Sequence, residues 1–256
     1  MKTPRLAIIG VSALAAISFA LTGCSSSGKG STSTSGSPAS SVDAQAALTK
    51  AAGQLATTGY NLTTNVGNGT LTGTATIDPG KGASIEQKGT VQGVNLTINV
   101  ILLGTDFYAK LDAGPLGGTI GVDPNTWYKV DTTKVDASKL PINPQSPDVL
   151  GIAGLAQGIK DVKATDAHHI TGTIDLSAVK SSLLSAGDVA SAAANTSAAP
   201  FEATLDDQGR FSELKIGAGT SSAIEIQFSD YGSPNPISAP AGAKDAPQSL
   251  YSILGS

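Results

Sequence analysis

The chain has 256 residues, 40% of them hydrophobic, 14% charged and only 4% aromatic. A formal charge of −4 and the lack of any Lys/Arg-rich run exclude a nucleic-acid partner, because that affinity rests on a basic face that neutralises phosphates. A single cysteine excludes a disulfide framework and a thiolate zinc cage, and no break in composition marks a second core.

Lys2 and Arg5 precede the uncharged run Leu6 to Leu21, which Leu21-Thr22-Gly23-Cys24 closes with small residues, the layout of a secretory signal. The run holds 16 residues, short of the roughly 20 needed to span hydrocarbon. Leu-Thr-Gly-Cys resembles the bacterial lipobox, after which the chain is cut before the cysteine and the thiol becomes a diacylglyceryl thioether. Residues 1–23 are therefore expected to be a lipoprotein signal peptide and Cys24 the lipidation site. The expected location is extracytoplasmic, held to the cell membrane by the lipid anchor, since two or more acyl chains at about 0.8 kcal/mol per CH₂ bind stably. Nine of residues 25–41 are Ser, a composition that cannot bury enough apolar surface to order itself. Residues 24–41 thus read as an acylated tether that spaces the folded part some 20 to 25 Å from lipid.

Residues 42–233 read as one domain. Val42 to Thr57 places Val42, Leu48, Ala51, Ala52 and Leu55 at helical spacing behind Ser41. From Tyr60 to Lys110 the period becomes two, with a strand at Thr70 to Ile77 ended by the turn Asp78-Pro79-Gly80. Val94 to Leu103 is the clearest strand, and shorter ones are expected at Phe107 to Leu111 and Trp127 to Val130. Ser146 to Ile159 and Leu176 to Ala190 carry apolar stripes that predict two further helices. Strands are expected at 162–165, 170–175, 201–205, 210–217 and 223–231, with a hairpin turn at Asp206-Asp207-Gln208-Gly209. The tail, 234–256, carries Pro234, Pro236, Pro240 and Pro247 and is expected to be irregular.

Consecutive strands joined by short polar turns favour an antiparallel meander, and helices gathered at two points should cover its apolar side. The expected fold is α+β: a curved antiparallel half-barrel with about three helices on the concave apolar side. Those helices offer mostly small side chains, so the two layers either close tightly or leave an apolar hollow.

Phe107-Tyr108-Ala109-Lys110-Leu111, Asn125-Thr126-Trp127-Tyr128-Lys129-Val130-Asp131, Pro147-Asp148-Val149-Leu150 and Ile170-Thr171-Gly172-Thr173-Ile174, set behind the lipobox and the Ser-rich tether, resemble the mycobacterial LppX/LprAFG lipoproteins. The likeness covers nearly all of the chain after Cys24 and has no catalytic signature. It implies a LolA/LolB-like half-barrel around a cavity for multi-acylated lipid or lipoglycan, lipid transfer toward the outer envelope with a lipid exporter as partner, and recognition of acylated Cys24 by host Toll-like receptor 2. No cofactor and no enzymatic activity are implied. The residues expected to contact lipid are Leu96, Ile98, Val100 and Leu102 from the sheet, with Leu150, Ile152, Leu155, Ile159, Val179 and Leu183 from the helices. Val100→Trp is expected to leave the fold intact and expel bound lipid. The alternative is a surface lipoprotein with a solid core that acts as adhesin, scaffold or envelope sensor.

Other motifs fail on chemistry. Gly23 to Lys29 nearly spells a phosphate loop, but Gly30 stands where Ser or Thr must hold Mg²⁺. Ser177-Ala178-Val179-Lys180 lacks the partner motifs of the penicillin-binding enzymes. His168 and His169 are the only histidines; as strand neighbours they point to opposite faces and are expected on the surface at a strand start. No Gly-x-Ser-x-Gly elbow is present.

Overall fold

The structure is a computed structural model that describes residues 41–67, 69–91, 93–135, 142, 148, 150–176, 198–217 and 223–254. The export signal, the tether with Cys24 and the helix expected at 176–190 lie outside these, apart from Ser41 and Leu176. Among the described residues twelve strands form one sheet: β1 Tyr60–Val66, β2 Leu71–Asp78, β3 Gly82–Val91, β4 Val94–Leu103, β5 Asp106–Asp112, β6 Tyr128–Val130, β7 Ile159–Ala164, β8 His169–Ile174, β9 Ala199–Leu205, β10 Phe211–Ile216, β11 Ile224–Ser229 and β12 Lys244–Asp245. Their order across the sheet is 12-6-5-4-3-2-1-11-10-9-8-7, so two strand edges stay open and no barrel closes. Every pairing is antiparallel except the short parallel one of β12 with β6.

β4 spans the whole Val94–Leu103 run that the alternation predicts, and pairs with β3 along ten consecutive positions. One face of the sheet is apolar because register stacks the alternating residues of neighbouring strands. Ile77, Ala83, Leu102 and Phe107 face one another across β2 to β5, and Leu62, Ala75, Ile85, Val100 and Ala109 form the adjoining row. This inner face carries the core. The outer face carries Thr, Asn and paired charges, with Lys215 opposite both Glu225 and Glu202.

α1, Ser41–Leu55, buries Ala44, Leu48, Ala51, Ala52 and Leu55 and packs against β7 and a second inner helix. The sequence predicts that second helix over Ser146 to Ile159, but it covers only Ile152–Gly158. The short helix Leu116–Thr119 comes before it and is α2, so this one is α3. Its start is displaced because Gly151 adopts a left-handed φ of +69°, while the Asp148 carboxylate accepts from the backbone N–H groups of Ile152 and Gly154. Ile159 then opens β7 instead of closing the helix.

The tail is ordered by contacts that its prolines conceal. Gly232 N donates to Gly59 O, Asn235 N to the Asn61 side-chain oxygen, and Lys244 N to Trp127 O. The segment therefore crosses from β1 to β6, five strand spacings or about 24 Å, on the side toward which Asn61 points. Half-buried Pro234, Ile237, Pro240 and Ala243 recur every third residue, the period of a polyproline strap, whose rise of about 3.1 Å per residue reaches that far. β12 and α4, Gln248–Leu254, finish the chain. Leu250 and Tyr251 are buried, and the Tyr251 hydroxyl accepts from Asp131 N at 3.1 Å.

Candidate functional site

Burial along the inner face of β1 to β4 changes from one end to the other. At the end where β1 begins and β2 finishes, Tyr60, Leu62, Ala75, Ile77, Ala83, Val100 and Leu102 are all buried. At the opposite end the residues in the same columns, Val66, Leu71, Leu96 and Ile98, are only half-buried beside the core. Between them stand Gly73, which presents no side chain, and Gln87, opposite both Gly73 and Ile98. Val66 faces Leu71, Leu71 faces Gly89, and Gly89 faces Leu96, so the half-open apolar strip runs unbroken across four strands. Gly114, whose Cβ would sit about 4 Å from Val94, brings α2 to this end. There Leu116 is 51% exposed and Ile120 half-buried. The strip is about 14 Å wide at three strand spacings.

The sealed end is filled by aromatic rings and by α1. Tyr60 lies 5.8 Å from both Phe228 and Tyr231, and Phe228 lies 5.9 Å from Phe211. Burial pushes the Tyr60 phenol far above its ordinary range, and the nearby Asp148 carboxylate adds to this. The Tyr231 phenol is raised by burial as well, donates to Phe211 O at 2.8 Å, and carries the Arg210 guanidinium 4.6 Å above its ring. Arg210 in turn holds Asp206 at 2.7 Å; burial opposes the Asp206 charge, but these bonds and the turn's backbone N–H groups keep its carboxyl below the ordinary range. Among the described residues this end is an aromatic packing cluster against the core.

The residues expected at a lipid site divide accordingly. Leu96 and Ile98 lie in the half-open strip. Val100 and Leu102 continue the same column into the sealed end at 2% and 3% exposure. Leu150, Ile152, Leu155 and Ile159 are all buried in the same continuous core, so around α1 and α3 the small side chains are met by close packing. Val179 and Leu183 fall outside the described residues. Val100→Trp is consequently the wrong probe: Val100 faces Ile85 and Ala109, and an indole there would overpack the core. Sequence reasoning missed Val66, Ile85, Leu116 and Ile120. For Val66 and Ile85 the alternation in β1 and β3 was the available signal, but only register shows that they share a face with β4; Leu116 and Ile120 belong to the α2 segment, which carries no such alternation.

His169 opens β8 and His168 precedes it, with side chains 56% and 46% exposed. Each stands by a different carboxylate, Asp166 and Asp207, and among the described residues no group of three or more His, Cys, Asp or Glu is placed to hold a metal. No described helix is long and apolar enough to cross a membrane.

The fold and this half-open strip define an open, mostly antiparallel α+β sheet protein with helices packed on its apolar face. No family model matches the chain, and a search of curated proteins finds no match. Among solved structures, the chain is similar to LprF from Mycobacterium bovis, with 15% identity and a TM-score of 0.49 over 81% of this chain and all of that one.

Proposed function

We propose that this protein is an exported lipoprotein whose inner face receives the acyl chains of a multi-acylated lipid or lipoglycan and carries them toward the outer envelope. The observation that supports the reading is the strip Val66, Leu71, Leu96 and Ile98, an apolar surface left half-open beside the buried core of the described residues. Exposed apolar strips rimmed by polar residues mark sites for apolar partners. A chain of about 16 carbons costs on the order of 12 kcal/mol to expose at 0.8 per CH₂, so transfer through water demands such a surface. Anchoring through acylated Cys24 would hold the domain at the membrane from which lipid is drawn, hand it on to or from a lipid exporter, and offer host Toll-like receptor 2 its acyl chains.

The test is Ile98→Arg and Leu96→Arg in protein recovered from its own envelope and examined by native mass spectrometry. Both side chains sit where a guanidinium can reach water, so the fold should persist. Co-purified lipid should fall by more than about tenfold, since a buried unpaired charge costs several kcal/mol. Wild-type lipid content in both folded variants would overturn the placement and favour the adhesin, scaffold or sensor reading.

A further inference from the structure

The outer face of the sheet holds a second surface, chemically opposite to the inner one. An open groove of about 280 Å³ lies between the start of the proline strap and Trp127. Its floor is one register row: Thr63 faces Thr74, Thr74 faces Glu86, and Glu86 faces Asn99. The row continues through Lys110, which Asn99 faces, and Lys110 Nζ sits 5.2 Å from the centre of the Trp127 ring that closes this end. At the other end Asn61 is fixed from three sides. Its amide donates to Asp230 at 2.8 Å, and its oxygen accepts from Thr76 at 2.9 Å and from Asn235 N at 3.2 Å. Asp230 itself takes the left-handed φ of +54° that only a few non-glycine residues tolerate, and accepts a second bond from Ser229.

We propose that this groove binds a neutral sugar chain. Eight of the fourteen residues that line it carry a hydroxyl or amide side chain, and the apolar share of the lining includes the Trp127 indole, a mixed surface that suits a polyol better than an acyl chain. Lys110 at the Trp127 end is drawn onto the indole ring, Lys88 beside the floor is tied to Glu86 at 2.7 Å, and the charged side chains in the lining itself are the carboxylates Glu86 and Asp230, so a phosphate meets like charge. What remains suits a polyol. Carboxylate and amide oxygens at Glu86, Asp230 and Asn99 accept from vicinal hydroxyls, threonine and amide groups donate, and an indole offers a flat apolar surface to the C–H face of a pyranose. The side chains of Thr63, Thr74 and Asn99 make no hydrogen bond to described residues, which leaves them for a ligand. The floor is strand, not loop, so little ordering entropy is lost on binding. The same chemistry serves a free polysaccharide or the headgroup of a glycolipid, and it stands whether or not the inner face carries lipid.

Trp127 is the only tryptophan in the chain, so its fluorescence reports on this groove alone. The full-length protein is titrated with lipid-free mannohexaose, cellohexaose and maltohexaose, with a short-chain diacyl glycolipid, and with a sugar-free diacyl phospholipid. A saturable shift with at least one sugar, half-complete at about 1 mM or below, is expected, and it should weaken about tenfold in Asn99→Ala and in Glu86→Gln. Thr74→Val serves as a third variant should either fail to keep the wild-type melting temperature. A shift with the free hexasaccharides identifies a polysaccharide as the source, and one with the glycolipid alone identifies its headgroup; both support the proposal. No saturable shift from any sugar at about 20 mM, an equal shift in the folded variants, or the same shift from the sugar-free lipid would overturn it.

Discussion

Asp166 shows how one exposed side chain can organise a turn. Its carboxylate accepts from the backbone N–H groups of His168 and His169 and from the His169 ring at 2.8 Å, where β7 hands over to β8. The His168 backbone bond comes first among the causes that lower the carboxyl from 3.8 to about 2, followed by the two bonds from His169. A carboxyl whose folded value is depressed favours the folded state above its ordinary value and ceases to do so as pH falls. Protection of the β7–β8 turn amides from hydrogen exchange should accordingly be complete above about pH 4 and decline between about pH 4 and 2. In Asp166→Asn that pH dependence should vanish, and persistence of the decline in the variant would place its origin elsewhere. Asp206 has a comparable organising role at the β9–β10 turn, where its carboxylate accepts from Gln208 N and Arg210 N and Gly209 adopts φ +72°.

Among the elements, the β2–β3 hairpin depends most sharply on a missing side chain. Three residues, Pro79, Gly80 and Lys81, join Asp78 to its partner Gly82, and Lys81 N donates back to Asp78 O. Gly82 lies against the backbone of β4, where a Cβ would collide with the Leu102 carbonyl, while a Cβ on Gly80, at φ +84°, would meet open space. Gly80→Ala should cost about 1 kcal/mol from its dihedral alone, and Gly82→Ala more than about 3, because strand separation adds to strain. Urea unfolding with an unchanged slope checks both, and equal costs would mean that the close approach of β3 to β4 is soft. The same hairpin brings Gly89 and Gln87 into the half-open strip, so its geometry bears on the proposed lipid surface as well as on stability.

At the scale of the whole molecule, an unclosed sheet must protect two edges. β7 does so with Lys160, Asp161 and Lys163, a register shift against β8, and a left-handed φ of +53° at Asp161, all of which discourage another strand from pairing. The other edge relies on the tail: β12 covers β6, and α4 buries Leu250 and Tyr251 beside the loop after β6. Truncation after Gly232 should therefore lower the melting temperature and expose Tyr128–Val130, and the truncated protein should self-associate in size-exclusion chromatography. Two buried side chains alone contribute about 4 kcal/mol. A monomer with native stability would show that strap and helix are dispensable.

The polar and apolar alternation of β4, the helical stripe of α1, the turn chemistry at Asp206 to Gly209 and the surface position of the two histidines were legible residue by residue, because each depends on neighbours within a few positions. The sheet's apolar side was legible for the same reason, as was its antiparallel order from the short turns. Which of its residues are sealed and which half-open was not, because burial at Val100 and Leu96, two turns of the same alternation, is set by what β2, β3, β5 and the helices place opposite them. The start of α3 was hidden for a related reason: one left-handed glycine and one carboxylate cap outweigh an apolar stripe. The prolines of the tail read as irregular structure, and the stretch before β12 has neither helix nor strand; that it builds a strap was not legible, since a period of three becomes meaningful only when a sheet lies beneath it. Local sequence determined the elements and the faces they offer; long-range register alone decided where oil is sealed, where it is left open, and where a row of polar side chains meets the single tryptophan.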